Sequence, residues 1–372
     1  MPVWGDDPAV LRCAHRRPGE EPPRGEPEAR APRAGGRTAA EVLGWSRGLL
    51  DPALRDAVER MPDAVRGIAA FHFGWRDERG APCAGTGGKA IRPALALLAA
   101  EAVGGTASAA LPAAVAVELA HNFSLLHDDV MDGDLTRRHR PTAWSVFGAN
   151  AAILAGDALL AAAFEVLAEA PDPVLPRAVR TLGRAVLDLV AGQSADLAFE
   201  ERTDVTLDEC VAMASRKTGA LLGASCALGA AYGGGAAGQG ARLRAFGERL
   251  GLAFQLVDDL LGIWGDPEVT GKPVHSDLHS RKKSLPVVAA LTSPGPAAAE
   301  LAELYLRGGA LGGDDAARAA ALIEAAGGRT WAATRAAALL TEAHAHLAAV
   351  GAAPAAATEL RTLAHLITHR SF

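Results

Sequence analysis

The stretch His127–Pro141, HDDVMDGDLTRRHRP, sets four carboxylates and then three arginines directly behind the apolar run LPAAVAVELAHNFSLL. Asp128, Asp129 and Asp132 stand at i, i+1 and i+4. On a helix, Asp128 and Asp132 lie one turn apart on one face, with Asp129 beside them. Bare carboxylates so close repel one another, and a hard divalent cation relieves them. Mg2+ takes one or two carboxylates, keeps some waters and completes its shell with phosphate oxygens. Arg137, Arg138 and Arg140 follow at once. The planar, permanently charged guanidinium suits phosphate recognition. One reading is a salt-bridged helix end. The other is a site holding a metal and a polyanion together. D-D-x-x-D alone does not choose between them.

Working outward, the composition favours helix. Apolar residues make up 49% and aromatics 5% of the 372 residues, and Ala is very abundant. Ala and Leu head the helix scale, whereas β-branched and aromatic residues favour sheets. Long Ala/Leu/Val segments alternate with breaks at GAPCAGTGG, VGGTAS, EAPDPVLP, YGGGAAGQG, TSPGP, LRGGALGGDD and EAAGG. No period-2 alternation persists. The pattern predicts a single all-α domain over residues 38–372, its helices packed around a central space. Residues 1–37 are rich in Pro, Gly, Arg and Glu and cannot bury enough apolar surface to fold alone. They read as a disordered extension. Thr38 with Glu41 forms a capping box that starts the first helix. Asp51 before Pro52 reads as a second start.

The formal charge of −6 shows no basic excess, so no nucleic-acid partner is expected. Cys13, Cys83, Cys210 and Cys226 are dispersed, which suggests neither zinc nor a disulfide framework. A reducing, cytoplasmic setting is the simplest expectation. No run of about 18 residues is strongly apolar without charge or glycine, so stable membrane insertion is not expected.

A second acidic segment, FQLVDDLLGIWGDPEVTGKPVHSDLHSRKKSLP, also runs from an apolar helix into paired aspartates, Asp258 and Asp259. Gly262 occupies the i+4 position. Two such pairs suggest two walls of one cavity with metals between them.

With both motifs in view, the chain from about residue 40 to its end resembles the all-trans isoprenyl diphosphate synthases, the polyprenyl synthetase family. The resemblance implies the isoprenoid synthase fold, a large antiparallel helical bundle around a deep cavity, usually in a homodimer. It implies Mg2+-dependent head-to-tail condensation of isopentenyl diphosphate with an allylic diphosphate, with roughly three Mg2+ ions per site. Asp128, Asp129, Asp132, Asp258 and Asp259 match the family's metal-binding motifs. In GGKAIRP, Lys89 and Arg92 match isopentenyl diphosphate ligands, as do His121 and Arg138. Arg137, Gln193, Asp196, Lys217, Lys272 and Lys282 match residues facing the allylic diphosphate. Lys217, Thr218 and Gln255 match catalytic positions, the last two able to aim oxygen dipoles at an allylic cation. Asp277 matches a later acidic residue of the metal shell. Gly262 replaces the final aspartate of the second motif, and little loss of activity is expected from it.

Residues five and four positions before Asp128 lie about 6–8 Å deeper along the helix, close to one isoprene unit. They are Phe123 and Ser124. One aromatic with a small neighbour, and no two-residue insertion in the first motif, resembles geranylgeranyl-type synthases. Farnesyl and longer-chain synthases are the alternatives. A terpene cyclase on the same fold would need no isopentenyl diphosphate site, and Lys89, Arg92, His121 and Arg138 argue against it. A non-catalytic partner subunit tends to lose an aspartate motif, whereas here the first is whole.

Overall fold

The computed structural model describes residues 36–83, 88–170, 174–267, 274–307, 309 and 311–369. Lys272 and residues 1–35 of the expected extension lie outside these residues. The elements begin with α1 (Ala39–Glu59), α2 (Asp63–His72), α3 (Ile91–Ala102) and α4 (Leu111–Met131). A short hairpin, β1 (Thr136–Arg137) and β2 (Arg140–Pro141), leads into α5 (Ala143–Phe147) and α6 (Ala149–Ala168). Then come α7 (Val174–Glu201), α8 (Leu207–Ala214), a π turn (Ser215–Gly219), α9 (Ala220–Tyr232) and α10 (Ala237–Trp264). Shorter helices follow, then Gly313–Ala325, Gly328–Ala348 and Pro354–Thr368.

Helix ends fall where the Gly- and Pro-rich breaks predict. α9 stops at Tyr232 before Gly233, and the TSPGP and EAAGG segments each separate two helices. Both halves of the Thr38–Glu41 capping box form. Two sequence expectations are corrected here. The fold already includes Arg37, assigned to the extension. Its guanidinium pairs with Glu359 at 2.5 Å and Glu101 at 3.0 Å and lies over the Trp45 ring. Pro52 starts no new helix, because α1 runs straight through it. The carbonyl that Pro52 cannot serve belongs to Gly48, which is exposed and open to water.

α4 is the central helix, packed by α1, α3, α6 and α9. Its Ala113, Ala114, Val117, Leu119 and Leu126 are buried. Each large apolar side chain buried this way contributes about 1.5–3 kcal/mol, and the alanines let neighbouring helices approach closely. α10 packs on α9 and on Gly328–Ala348. The segment Ser108–Met131, which contains α4, and the helix α6 are long and apolar enough to cross a membrane by length and composition, although Glu118 interrupts the first and Gly156 and Asp157 the second. For α4 the apolarity has a local use, since most of it is buried in the bundle. α6 keeps Ile153 and Leu154 exposed.

Candidate active site

The first aspartates sit where α4 ends. Burial pushes Asp128 up to about 6, with Lys217 opposing and Asp132 adding to the shift. Asp129 is fully buried. Its Oδ1 accepts from Arg137 Nε at 2.5 Å, while its Oδ2 has no hydrogen-bond partner. Burial holds Asp129 above the usual carboxylate range against the pull of Arg137. Asp132 caps α4 and is raised as well, chiefly by desolvation; Lys217, Asp134, Asp196 and Lys282 all reach it electrostatically. The two acidic motifs therefore share one electrostatic neighbourhood.

α7, the π turn and α10 form the facing wall. A Cβ at Gly192 would lie 2.5 Å from the Lys217 backbone nitrogen, so glycine is what lets α7 come this close. That approach sets Lys217 Nζ 2.6 Å from Asp196 Oδ2. Lys217 and Thr218 are both carried by the π turn, a distortion that often marks functional sites. Thr218 Oγ1 donates to Gln255 Oε1 at 2.7 Å. Gln255 Nε2 donates to Asp259 Oδ1 at 2.8 Å, and the Leu285 N–H donates to Asp259 Oδ2 at 2.9 Å. Thr218 has thus given away its proton and keeps lone pairs to present. Burial pushes Asp259 up to about 7 against the attraction of Lys282. Lys282 is itself desolvated, yet Asp277, Asp259, Asp196 and Asp258 together hold its ammonium above the ordinary lysine range. Gln193 is buried with neither amide atom bonded to protein.

The third wall is cation-rich. Burial and the nearby Arg92, Arg138 and Arg137 drive His121 well below its ordinary value. His72 falls to about 3 through burial and the same Arg138 and Arg137. Arg92 is lowered to about 10 by burial, with Glu118 as its stabilising carboxylate. Its Nε is buried without a partner. Gly88, next to Lys89, packs so closely on the Arg138 guanidinium that a Cβ would collide with it. Gly88, Arg92, His121 and Arg138 therefore meet at one place, and Arg137 reaches from there to Asp129. A cleft at this junction is lined by His72, Asp129, Arg137, Arg138 and Arg140.

Backbone strain is concentrated in the same region. Among the described residues the non-glycine positions with positive φ are Ala90, Arg138, His139, His275 and Arg281. They fall in or beside the segments that carry Lys89, Arg138, Asp277 and Lys282. Left-handed backbone costs a side-chain-bearing residue about 1–2 kcal/mol, and such strain persists where the surroundings over-determine it, typically at functional sites.

Comparison with known proteins agrees with this geometry. The family model for polyprenyl synthetase matches residues 80–321. The chain is 48% identical over 337 residues to a (2E,6E)-farnesyl diphosphate synthase of Mycobacterium bovis, covering 90% of this chain and 94% of that protein. The chain belongs to the polyprenyl synthetase family. A geranylgeranyl diphosphate synthase of Mycobacterium tuberculosis is 50% identical over 288 residues, covering 77% of this chain and 82% of that protein. The crystal structure of a polyprenyl synthetase from Streptomyces coelicolor superposes with a TM-score of 0.85 at 47% identity, covering 88% of this chain and 99% of that one. As a prenyl synthase the chain is a prenyltransferase of isoprenoid biosynthesis that acts on prenyl diphosphates by chain elongation.

Prenyl synthases use Mg2+. The residues fit that ion. Asp129 Oδ2 is a buried acceptor without a donor, and burial holds Asp128, Asp132 and Asp259 above the carboxylate range despite the nearby Lys217 and Lys282. Among the described residues no three His, Cys, Asp or Glu side chains close into a cage. Mg2+ commonly draws the rest of its shell from water and substrate phosphate.

Sequence reasoning did not find His72, Glu118 or Asn122, and it placed Arg140 in the basic segment without its partners. His72 lies on α2, and its Nε2 bonds Asn122 Oδ1 at 3.1 Å. Asn122 Nδ2 in turn donates to the Glu118 backbone carbonyl at 2.8 Å. Arg140 donates to the Phe71 and Arg76 carbonyls, both at 3.1 Å, and so ties the hairpin to the end of α2. No local motif marks His72, Glu118 and Asn122, because only the packing of α2 against α4 brings His72 to them.

Proposed function

We propose that the chain makes geranylgeranyl diphosphate from isopentenyl diphosphate and an allylic diphosphate, as a cytoplasmic homodimer with about three Mg2+ ions per site. The observation that carries this reading is the division of one site into two electrostatic halves. The half built from Arg92, His121, Arg138 and His72 is cation-rich and suits a diphosphate held without metal. The half built from the two aspartate motifs, Lys217 and Lys282 is acid-rich and suits a diphosphate held through metal. Arg137, bonded to Asp129, stands between them.

Bound Mg2+ would be held by Asp128, Asp132 and the second motif and would supply positive charge against the leaving diphosphate. Lys217 and Lys282 add fixed charge at the same place, in an arrangement set before the reaction begins. As the allylic C–O bond breaks, its electron pair leaves with the diphosphate. The Thr218 hydroxyl, its proton committed to Gln255, presents oxygen lone pairs to the allylic cation. The double bond of isopentenyl diphosphate then forms the new C–C bond. One proton leaves C2 to the departing diphosphate, which removes the need for a protein base. Arg92, Arg138, Lys89 and His121 hold the second substrate in line, and positioning of this kind supplies a large share of the rate.

Ser124 supports a C20 product. It lies about one turn below Asp128 on nearly the same helix face. Its hydroxyl is folded back onto the His121 carbonyl at 2.8 Å, which leaves a small surface there. Phe123 is buried, its ring edge-on to His127 at 4.8 Å. The exposed Ile153, Leu154, Val179, Leu187 and Val190 on α6 and α7 support a second copy as the partner. The test is mass spectrometry of products from isopentenyl diphosphate with each allylic starter. C20 is the expected end point. A C15 end point overturns the chain length, and cyclic hydrocarbon from geranylgeranyl diphosphate alone overturns the coupling reaction.

A further inference from the structure

We infer that His127 is a specificity-determining residue: seated between α4 and α6, its imidazole holds the Phe123 ring and so helps set where the growing chain stops. Gly156 on α6 keeps that seat open. The inference rests on the proposed chain-length role of Phe123 and deepens it. Phe123 and His127 stand at i and i+4 on α4, so their side chains lie one above the other on one helix face. The two rings meet edge-on, with centroids 4.8 Å apart and planes 64° apart. Among the described residues this is the one ring contact that Phe123 makes. His127 itself lies outside the two positions that sequence reasoning used as a ruler.

The imidazole is held from the α6 side as well. His127 Nε2 lies 3.0 Å from the Ile153 carbonyl oxygen. A carbonyl only accepts, so Nε2 carries the proton and donates it there. Asp157 Oδ1 stands 3.6 Å from the same nitrogen. Ile153, Gly156 and Asp157 fall at i, i+3 and i+4, so the ring rests on one face of α6. Gly156 is the floor of that seat. A Cβ there would collide with His127 Cδ2 and Nε2 and would stand 3.5 Å from the Phe123 carbonyl oxygen. An imidazole can turn aside from such a collision, but only by giving up the Ile153 bond and its edge-on place against Phe123. Side chains sit in a few staggered rotamers, and their neighbours decide which one is kept. A phenylalanine ring ends a cavity only while it is held across it. His127 is what holds it, and α6 is what holds His127.

The test uses the full chain with isopentenyl diphosphate and each allylic starter, and reads the product distribution by mass spectrometry beside the rate and the thermal melt. In His127→Ala the share of product at least one isoprene unit beyond the parental end point is expected to rise about fivefold, the rotamer shift that follows from losing one edge-on ring pair. Gly156→Ala leaves α4 untouched and is expected to shift products in the same direction; it also serves if His127→Ala lacks a cooperative melt. His127→Phe restores an edge-on ring and should stay within about twofold of the parental share. The double variant Gly156→Ala with His127→Ala should match His127→Ala alone, because the glycine acts only through the ring. A slower rate or a lower Tm with the parental product distribution in both single variants would show a packing role only and overturns the inference. A double variant with longer products than His127→Ala overturns the part given to Gly156. Phe123→Ala is the control. If it keeps the parental distribution, the chain-length reading of α4 itself fails. If it lengthens products while His127→Ala and Gly156→Ala do not, only the role of His127 fails.

Discussion

Replacing Thr218 by valine isolates the hydrogen-bond relay at the reacting end of the site. The relay runs from Thr218 Oγ1 to Gln255 Oε1 at 2.7 Å, on to Asp259 Oδ1 at 2.8 Å, with the Leu285 N–H closing it at 2.9 Å. Valine keeps the shape of threonine but removes the hydroxyl. One hydrogen bond is lost, about 1 kcal/mol net, and Gln255 Oε1 is left without its donor at about 1–3 kcal/mol. A destabilisation of about 2 kcal/mol follows, a downward shift of a few degrees in Tm for a chain of this size. In the proposed mechanism the same substitution removes the oxygen facing the allylic cation. A loss of about 2 kcal/mol of transition-state stabilisation is about thirtyfold in kcat. Steady-state kinetics with isotopically labelled isopentenyl diphosphate should show that drop, with KM for both diphosphates changed less than about threefold, because no diphosphate contact is removed. Thr218→Ser keeps the hydroxyl and should stay near the parent. Equal losses in the serine and valine variants, or an effect confined to KM, would refute the reasoning.

Arg138 combines strain with function, so Arg138→Gly should separate the two. Thermal melts should show a gain of up to about 1 kcal/mol from the relieved left-handed backbone, while KM for isopentenyl diphosphate rises more than about tenfold with the lost guanidinium contact; unchanged KM would count against its assignment. Asp259 gives a pH prediction. Its folded-state value is raised to about 7 from 3.8, so its stabilising contribution is complete below the unfolded value and is lost as pH rises through that window. In metal-free buffer, Asp259→Asn should gain in Tm over the parent as pH goes from about 4 to about 8, and a gap widest at low pH would contradict the sign. For chain length, Ser124→Phe should shift products shorter and Phe123→Ala should shift them longer. Mass spectrometry showing the parent distribution in both would remove α4 as the determinant.

Much of the candidate site could be read from the chain because helical chemistry is local. An aspartate set at i and i+4 shares one face wherever the helix goes, and a Thr–Glu capping box starts a helix by satisfying its own backbone. The Gly- and Pro-rich breaks marked the helix ends for the same reason. Pro52 misled because a proline is tolerated wherever the carbonyl it strands can reach water, and exposure is a property of the whole fold. The hairpin at Arg137–Arg140 escaped notice because its two left-handed residues are Arg138 and His139 rather than the usual Asn-Gly. The π turn under Lys217 and Thr218 has no recognised sequence signal.

Gly262 shows most plainly where local reading ends. The motif with its missing aspartate, the cation and carboxylate inventory and the all-α class were all determined by the sequence, through side-chain type and helical period. What lies against the glycine was decided only by the tertiary structure. A carboxylate fifteen positions along the chain comes back to lie against it, and such a meeting is set by packing between elements, which no spacing within one helix records.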